Sequence, residues 1–222
     1  MAKSGKATTP ATKTPAKTQP KSTGRTPSRS RHVGTRRRGP DPLLLGGGLL
    51  IALLIGLAVF FGVRRAIPVA GEVRFSAQGN THIETGQPNT FAYNSTPPTS
   101  GPHYGSLAPW GVQTGPVPYE YLLHNLEDGG IVIYYQCAED CPDIRDQLAA
   151  IVEPYERNGQ HVVLVPNDPT WTDGVARHQD MGTPIAVTAW TRMISMDTVD
   201  AERIETFISK YLGIDNHSGP TG

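Results

Sequence analysis

Residues 131–165 read IVIYYQCAEDCPDIRDQLAAIVEPYERNGQHVVLV, and the fold class follows from them. Ile131–Gln136 is a near-continuous run of β-branched and aromatic residues, the pattern of a strand buried on both faces. Pro142–Arg157 places Ile144, Leu148, Ile151 and Tyr155 at helical spacing, with Pro142 in the first turn and Gly159 beyond the end. His161–Val165 is a second β-branched run. Strand, helix and strand predict a βαβ unit with parallel strands and a right-handed crossover. The class is α/β, or α+β.

On the C-terminal side, Pro184–Trp190 (PIAVTAW) predicts a third strand. Asp200–Leu212 predicts a final helix with Ile204, Phe207, Ile208 and Tyr211 on one face, capped by Asp197, Thr198 or Asp200. Residues 216–222 are expected to be a disordered tail. On the N-terminal side, 78–127 is broken by Gly, Pro, Asn, Ser and Thr every few positions. It is expected to be a long ordered loop, anchored by Phe91, Tyr93, Tyr104, Trp110, Tyr119 and Tyr121. Residues 78–215 form one outer domain, reached through a linker over 64–77 with a short strand at Glu72–Phe75.

Further out lies Leu43–Val63, LLLGGGLLIALLIGLAVFFGV, without a charge. At about 1.5 Å per residue it matches a bilayer core of about 30 Å. A basic region this long, an apolar core of this length and Pro68-Val69-Ala70 as the cleavage site are a poor match to a secretory signal, so a retained anchor is expected. Residues 1–42 carry eleven Lys/Arg and one acid, Asp41, and hold almost nothing apolar, so they are expected to be a disordered tail. Beyond residue 65 there are seven bases against nineteen acids, a balance of −12. Basic residues beside a membrane helix stay in the cytoplasm. The expected topology is single-pass in the cell membrane, N-terminus cytoplasmic and outer domain extracytoplasmic. Residues 1–65 would meet membrane lipids, and an envelope protein or small ligand would meet the outer domain. Its acidity argues against nucleic acid there.

Three runs carry a family resemblance: Tyr93-Asn-Ser-Thr-Pro97-Pro98-Thr-Ser100-Gly101-Pro-His103-Tyr104, His124-Asn125-Leu-Glu127-Asp128-Gly129-Gly130-Ile-Val-Ile-Tyr-Tyr135, and Thr183-Pro184-Ile-Ala-Val-Thr-Ala-Trp190. The chain resembles the bacterial domain of unknown function family 3105 over about 80–212. The resemblance implies a single-pass bacterial membrane protein and no established activity. The family reads His-Asn-Leu-Glu-His-Gly-Gly, and Asp128 stands here where its second His would be.

Two sets of residues carry candidate chemistry. His82, His103 and His124, with Asp128 or Glu127, would make a three-histidine, one-carboxylate site for zinc or copper. Alternatively each histidine stiffens its loop by donating to a carbonyl. The family's His-x-x-Glu-His also spells an inverted zinc-protease motif. That reading is rejected, because Asp128 replaces the second His and Gly129-Gly130 precede a strand, leaving Glu127 and Asp128 as turn residues. Cys137 and Cys141 sit where a strand ends and a helix begins. They are read first as a structural disulfide and second as a redox or copper pair, because strand, Cys pair, helix, strand and Thr183-Pro184 follow the order of thioredoxin-like proteins. Ser100, His103 and Asp128 lack a nucleophile elbow. Two functions follow: an envelope binding domain, or a metal- or thiol-dependent site. Whether the chain is an enzyme is left open.

Overall fold

A computed structural model describes residues 42–217 apart from 88, 173 and 176, and the side chains of 42–46, 49, 61 and 63–66 are also outside that description. The tail expected over 1–42 falls almost entirely outside the described residues, as do 218–222. The chain falls into two units, 1–50 and 51–222. Within the first, residues 42–50 begin helix α1, which runs Pro42–Ala66. Among the described residues no helix is long and apolar enough to cross a membrane; the side chains described in α1 are those of 47, 48, 50–60 and 62.

The second unit is built on a six-stranded sheet. Its strands are β1 (Val73–Arg74), β4 (Gly111–Val112), β5 (Ile131–Tyr135), β6 (Val162–Pro166), β7 (Ile185–Ala189) and β8 (Arg192–Met196), in spatial order β1-β8-β7-β5-β6-β4. β5 and β6 are parallel, as the βαβ reading requires, with Ile131 opposite Val162. The connecting helix α3 spans Pro142–Arg157. β4 also runs parallel to β6. β7 is antiparallel to β5 and turns directly into β8, a strand the sequence reading did not anticipate. Thr191 makes that two-residue turn at φ 61°. The last helix, α4 (Ala201–Tyr211), is capped by Asp200, whose side chain accepts from the Arg203 amide.

Both faces of the central strands are buried, which is why β5 reads as a continuous apolar run. On one face Ile131, Ile133 and Leu164 meet Leu148 and Val152 of α3 and Phe207 and Ile208 of α4. On the other, Val132, Tyr134 and Val163 meet Leu122, Leu123 and Leu126. Those leucines belong to helix α2 (Tyr119–Glu127), which corrects the expectation of a loop through 127. Each is fully buried, worth about 1.5–3 kcal/mol apiece, and that outweighs the broken local pattern around them. The remainder of 78–118 also holds β2 (His82–Ile83) and β3 (His103–Tyr104), a parallel two-stranded sheet.

The linker is tied to the domain. The Glu72 carboxylate accepts from the Val69 amide at 2.8 Å, from Lys210 Nζ at 3.3 Å and from Tyr211 Oη at 2.5 Å. The short strand expected at 72–75 is β1, pairing Val73 with Met193.

Candidate metal centre

β2 and β3 set His82 directly opposite His103. Two amides fix this register: Gly101 donates to Gly79 O and His103 to Thr81 O, each at 3.0 Å. Gly101 has φ 123°, a conformation open to glycine, and there its carbonyl lies 2.8 Å from His103 Nδ1. The last turn of α2 supplies two more groups. His124 and Glu127 are three residues apart, on one helix face. His124 Nδ1 lies 2.9 Å from Tyr104 O, which ties α2 to β3.

The three imidazoles converge. Ring centroids are 4.9 Å apart for His82–His103, 5.1 Å for His82–His124 and 5.4 Å for His103–His124. Glu127, with its side chain 1 % exposed, closes the group. Its Oε2 is 2.9 Å from His103 Nε2 and 3.2 Å from His82 Nε2. Asn80 Nδ2 donates to its Oε1 at 2.8 Å and fixes the carboxylate plane. One ligand atom from each of His82, His103, His124 and Glu127 lies within 4.8 Å of the others. The site also faces the C-terminal end of α2, where the helix dipole favours positive charge.

The protonation pattern is the informative feature. Gly101 O only accepts, so His103 Nδ1 must carry a proton to bond it. Nε2 then faces a second acceptor, Glu127 Oε2. Burial pushes the His103 pKa down, and its bonds to Gly101 and Glu127 offset this only in part. Burial raises Glu127, but the hydrogen bonds from His82, Asn80 and His103 outweigh it and hold the carboxyl below its ordinary value. With Nδ1–H bonded to Gly101 O, the 2.9 Å contact between His103 Nε2 and Glu127 Oε2 calls for a positive charge between the two atoms: a proton, which gives an imidazolium–carboxylate pair, or a metal ion, which meets both lone pairs. His178 shows the contrasting, self-sufficient arrangement. It too is buried, but the Asp168 amide donates to its Nδ1 at 3.0 Å and its Nε2 donates to Val117 O at 2.8 Å.

Of the residues singled out from sequence, His82, His103 and His124 meet, and the carboxylate among them is Glu127. Asp128 is the C-cap of α2 and joins a second, outer group with His124 and His217. Glu127 and Asp128 were expected as turn residues; Glu127 is helical because Leu122, Leu123 and Leu126 carry the helix to Gly129-Gly130. The inverted zinc-protease motif stays rejected on the same two grounds, Asp128 in place of the second His and no helix beyond it, although the helix α2 that precedes Asp128, its C-cap, was not anticipated. Sequence reasoning also passed over Asn80 and His217, for which neither spacing nor motif gave a signal.

The remaining motif residues build the frame. Asn125 is fully buried and exchanges two hydrogen bonds of 2.9 Å with the Ala108 backbone. Pro97, Pro98 and Ser100 are buried, and Ser100 Oγ accepts from the Gln78 amide, so Ser100 serves the loop. Tyr104 is buried with its hydroxyl on Gln87 O. The Trp190 ring stands 6.0 Å from His103. Gly129 has φ 78°, and a Cβ there would come 2.9 Å from the Ile214 backbone. A Cβ on Gly130 would come 2.6 Å from Asn125 O. Pro184 O accepts from the Gln136 amide at the other end of β5. Cys137 and Cys141 are joined in a disulfide at that end, beyond Tyr135 and at the N-cap of α3. They are apart from the histidines, which gather where β5 begins.

A family model described as "Protein of unknown function (DUF3105)" matches residues 82–221, which includes all four converging residues. No curated protein and no solved structure matches the chain.

Proposed function

The chain belongs to that family of proteins of unknown function, and from this premise we propose that His82, His103, His124 and Glu127 bind a zinc or copper ion. The observation that carries the proposal is His103, fully buried between two acceptors, Gly101 O and Glu127 Oε2. A cation between Nε2 and Oε2 satisfies both lone pairs while Nδ1–H keeps its bond to the carbonyl. Metal-binding histidines commonly donate their other nitrogen in this way, as His124 does to Tyr104 O. Ligand atoms around an ion at about 2.1 Å stand roughly 3–3.5 Å apart, close to the 2.9 and 3.2 Å seen here. The rival occupant is a proton, giving an imidazolium–carboxylate pair. Elemental analysis of the purified full-length chain separates the two. About one zinc or copper per chain, lost in His103→Ala and His124→Ala, supports the site. A metal-free chain that takes up neither ion on addition excludes it.

The proposal places this domain outside the cell membrane on a single helix over 43–63. Its support is the uncharged run and the basic N-terminal side, together with the exposed side chains of Leu50, Ile51, Leu53, Leu54 and Ile55 in α1. Extraction of the chain from membranes by alkaline carbonate would refute this anchor. The envelope-binding reading keeps a role for 78–118 as a surface, but its histidines serve the ion. A thioredoxin-like core is the finer fold reading, supported by β5-α3-β6 followed by the antiparallel pair β7-β8 and α4. Cys137–Cys141 acts in it as a structural staple.

A further inference from the structure

The inner site has one nitrogen shared with a second set of ligands. One ligand atom each from His124, Asp128 and His217 lies within 4.8 Å of the others, and His124 Nε2 is 3.8 Å from Asp128 Oδ1. His217 Nε2 is 3.3 Å from Asp128 Oδ1 and 3.7 Å from Glu127 Oε2, so it stands beside both groups. Because His124 Nδ1 is engaged by Tyr104 O, only its Nε2 has a lone pair for a cation, and it can serve one ion at a time. Along this side exposure falls from the His217 side chain, 47 % exposed, through Asp128, 26 %, to Glu127, 1 %; on its other side the inner site opens to solvent at His82, 48 % exposed.

His217 is held in place by the fold. Gly213 donates to Gly129 O at 2.8 Å and Asn216 to Glu127 O at 2.9 Å, which lays the chain after α4 along the end of α2. Asn80, which orients the Glu127 carboxylate, also reaches His217 O at 3.4 Å. Asp215 Oδ1 is 2.6 Å from His217 Nδ1, leaving Nε2 turned toward Asp128 and Glu127. Gly129 is the residue that lets the strap approach this closely.

Resting on the metal-site reading above, we propose that His124, Asp128 and His217 form an outer loading station for the divalent cation. The ion is taken first by Asp128 and His217 together with His124. It then moves inward by ligand exchange, retaining His124 Nε2 while His82, His103 and Glu127 replace His217 and Asp128. Release retraces the same path. The acidic domain raises the local cation concentration at this mouth. The structural contribution of His217 is small, because its side chain is about half exposed.

The test is stopped-flow uptake of cobalt(II), read by its visible spectrum, and chelator-driven release, using the full-length chain in detergent. Wild type, His217→Ala and Asp128→Asn are compared. Uptake and release should both slow by about tenfold or more in each variant. The stoichiometry should stay near one ion and the equilibrium affinity should change by less than about tenfold. Unchanged rates in the variants, with wild type still binding one ion, would overturn the station and leave the inner site standing. So would unchanged uptake with a large loss of affinity, which makes His217 a resident ligand, or two ions bound at once in wild type. Failure of wild type to bind cobalt or zinc at all would overturn the inner site itself.

Discussion

Replacing Glu127 by Gln separates the two occupants of the site by the sign of the effect. The amide keeps the shape of the carboxylate and the bond from Asn80 Nδ2 to Oε1. At the Oε2 position it presents an N–H₂ donor to His103 Nε2, 2.9 Å away. With a neutral His103 and a chelator present, that contact changes from two facing acceptors to a hydrogen bond. Stability of the metal-free variant should therefore stay within about 1 kcal/mol of wild type, or rise. If instead His103 and Glu127 form a buried ion pair, removing one charge costs about 3–5 kcal/mol. With metal the order reverses. An ion at a hundred times its Kd stabilises wild type by about 2.7 kcal/mol. Loss of the charged ligand should weaken binding at least about a hundredfold, so the same ion concentration gives the variant only about 0.4 kcal/mol. For a domain of this size that is a metal-dependent rise in Tm of about 5–10 °C in wild type and about 1 °C in Glu127→Gln. The assay is thermal unfolding at about pH 7.5, above the ordinary imidazole pKa, with chelator or zinc, followed by Trp fluorescence. A large loss of stability in chelator with no zinc effect in either protein would refute the reasoning.

Acid should weaken the metal-free fold in the imidazole range. His178 is buried with its folded-state pKa pushed below the ordinary 6.5, mainly by burial, against its bond to Val117 O. The unfolded chain then protonates first, so stability is whole above 6.5 and is lost as pH falls from there through the folded value. Urea midpoints that stay level or rise from about pH 7.5 to 5.5 would contradict this. Gly129→Ala, at φ 78° and against the Ile214 backbone, should cost about 1–2 kcal/mol and raise amide exchange at residues 213–217, read by mass spectrometry. Unchanged exchange there would separate the strap from Gly129. Reduction of Cys137–Cys141, a short loop, should cost about 2 kcal/mol in denaturant titrations and leave metal content unchanged. Loss of the metal on reduction would tie the cysteines to the site.

Much of the sheet was legible because its central strands are buried on both faces and so carry unbroken apolar runs. α3 was legible to both ends because Pro142 and Gly159 bound a clear helical period. α2 was not, because Pro118 and Gly129-Gly130 crowd a nine-residue helix whose stability comes from burying Leu122, Leu123 and Leu126 rather than from its own propensity. That one omission moved the carboxylate. With the helix in place, His124 and Glu127 share a face, whereas a turn would have favoured Asp128. β8 was hidden by its mixed pattern, since Arg192 and Ser195 interrupt Met193, Ile194 and Met196. The convergence of His82 with His103 depends on a two-residue parallel ladder, a non-local pairing that short strands do not announce in sequence. His217 belongs to a stretch whose polar composition reads as a frayed end, and its place is set by backbone hydrogen bonds to Glu127 and Gly129.

The central claim is that a cation, not a proton, sits between His103 Nε2 and Glu127 Oε2. Anomalous diffraction from crystals of the purified chain, recorded on both sides of the zinc and copper absorption edges, tests it most directly. The account predicts one strong peak about 2.1 Å from the Nε2 atoms of His82, His103 and His124 and from Glu127 Oε2. No peak there after zinc or copper soaking, with His103 and Glu127 still at hydrogen-bond distance, would contradict it.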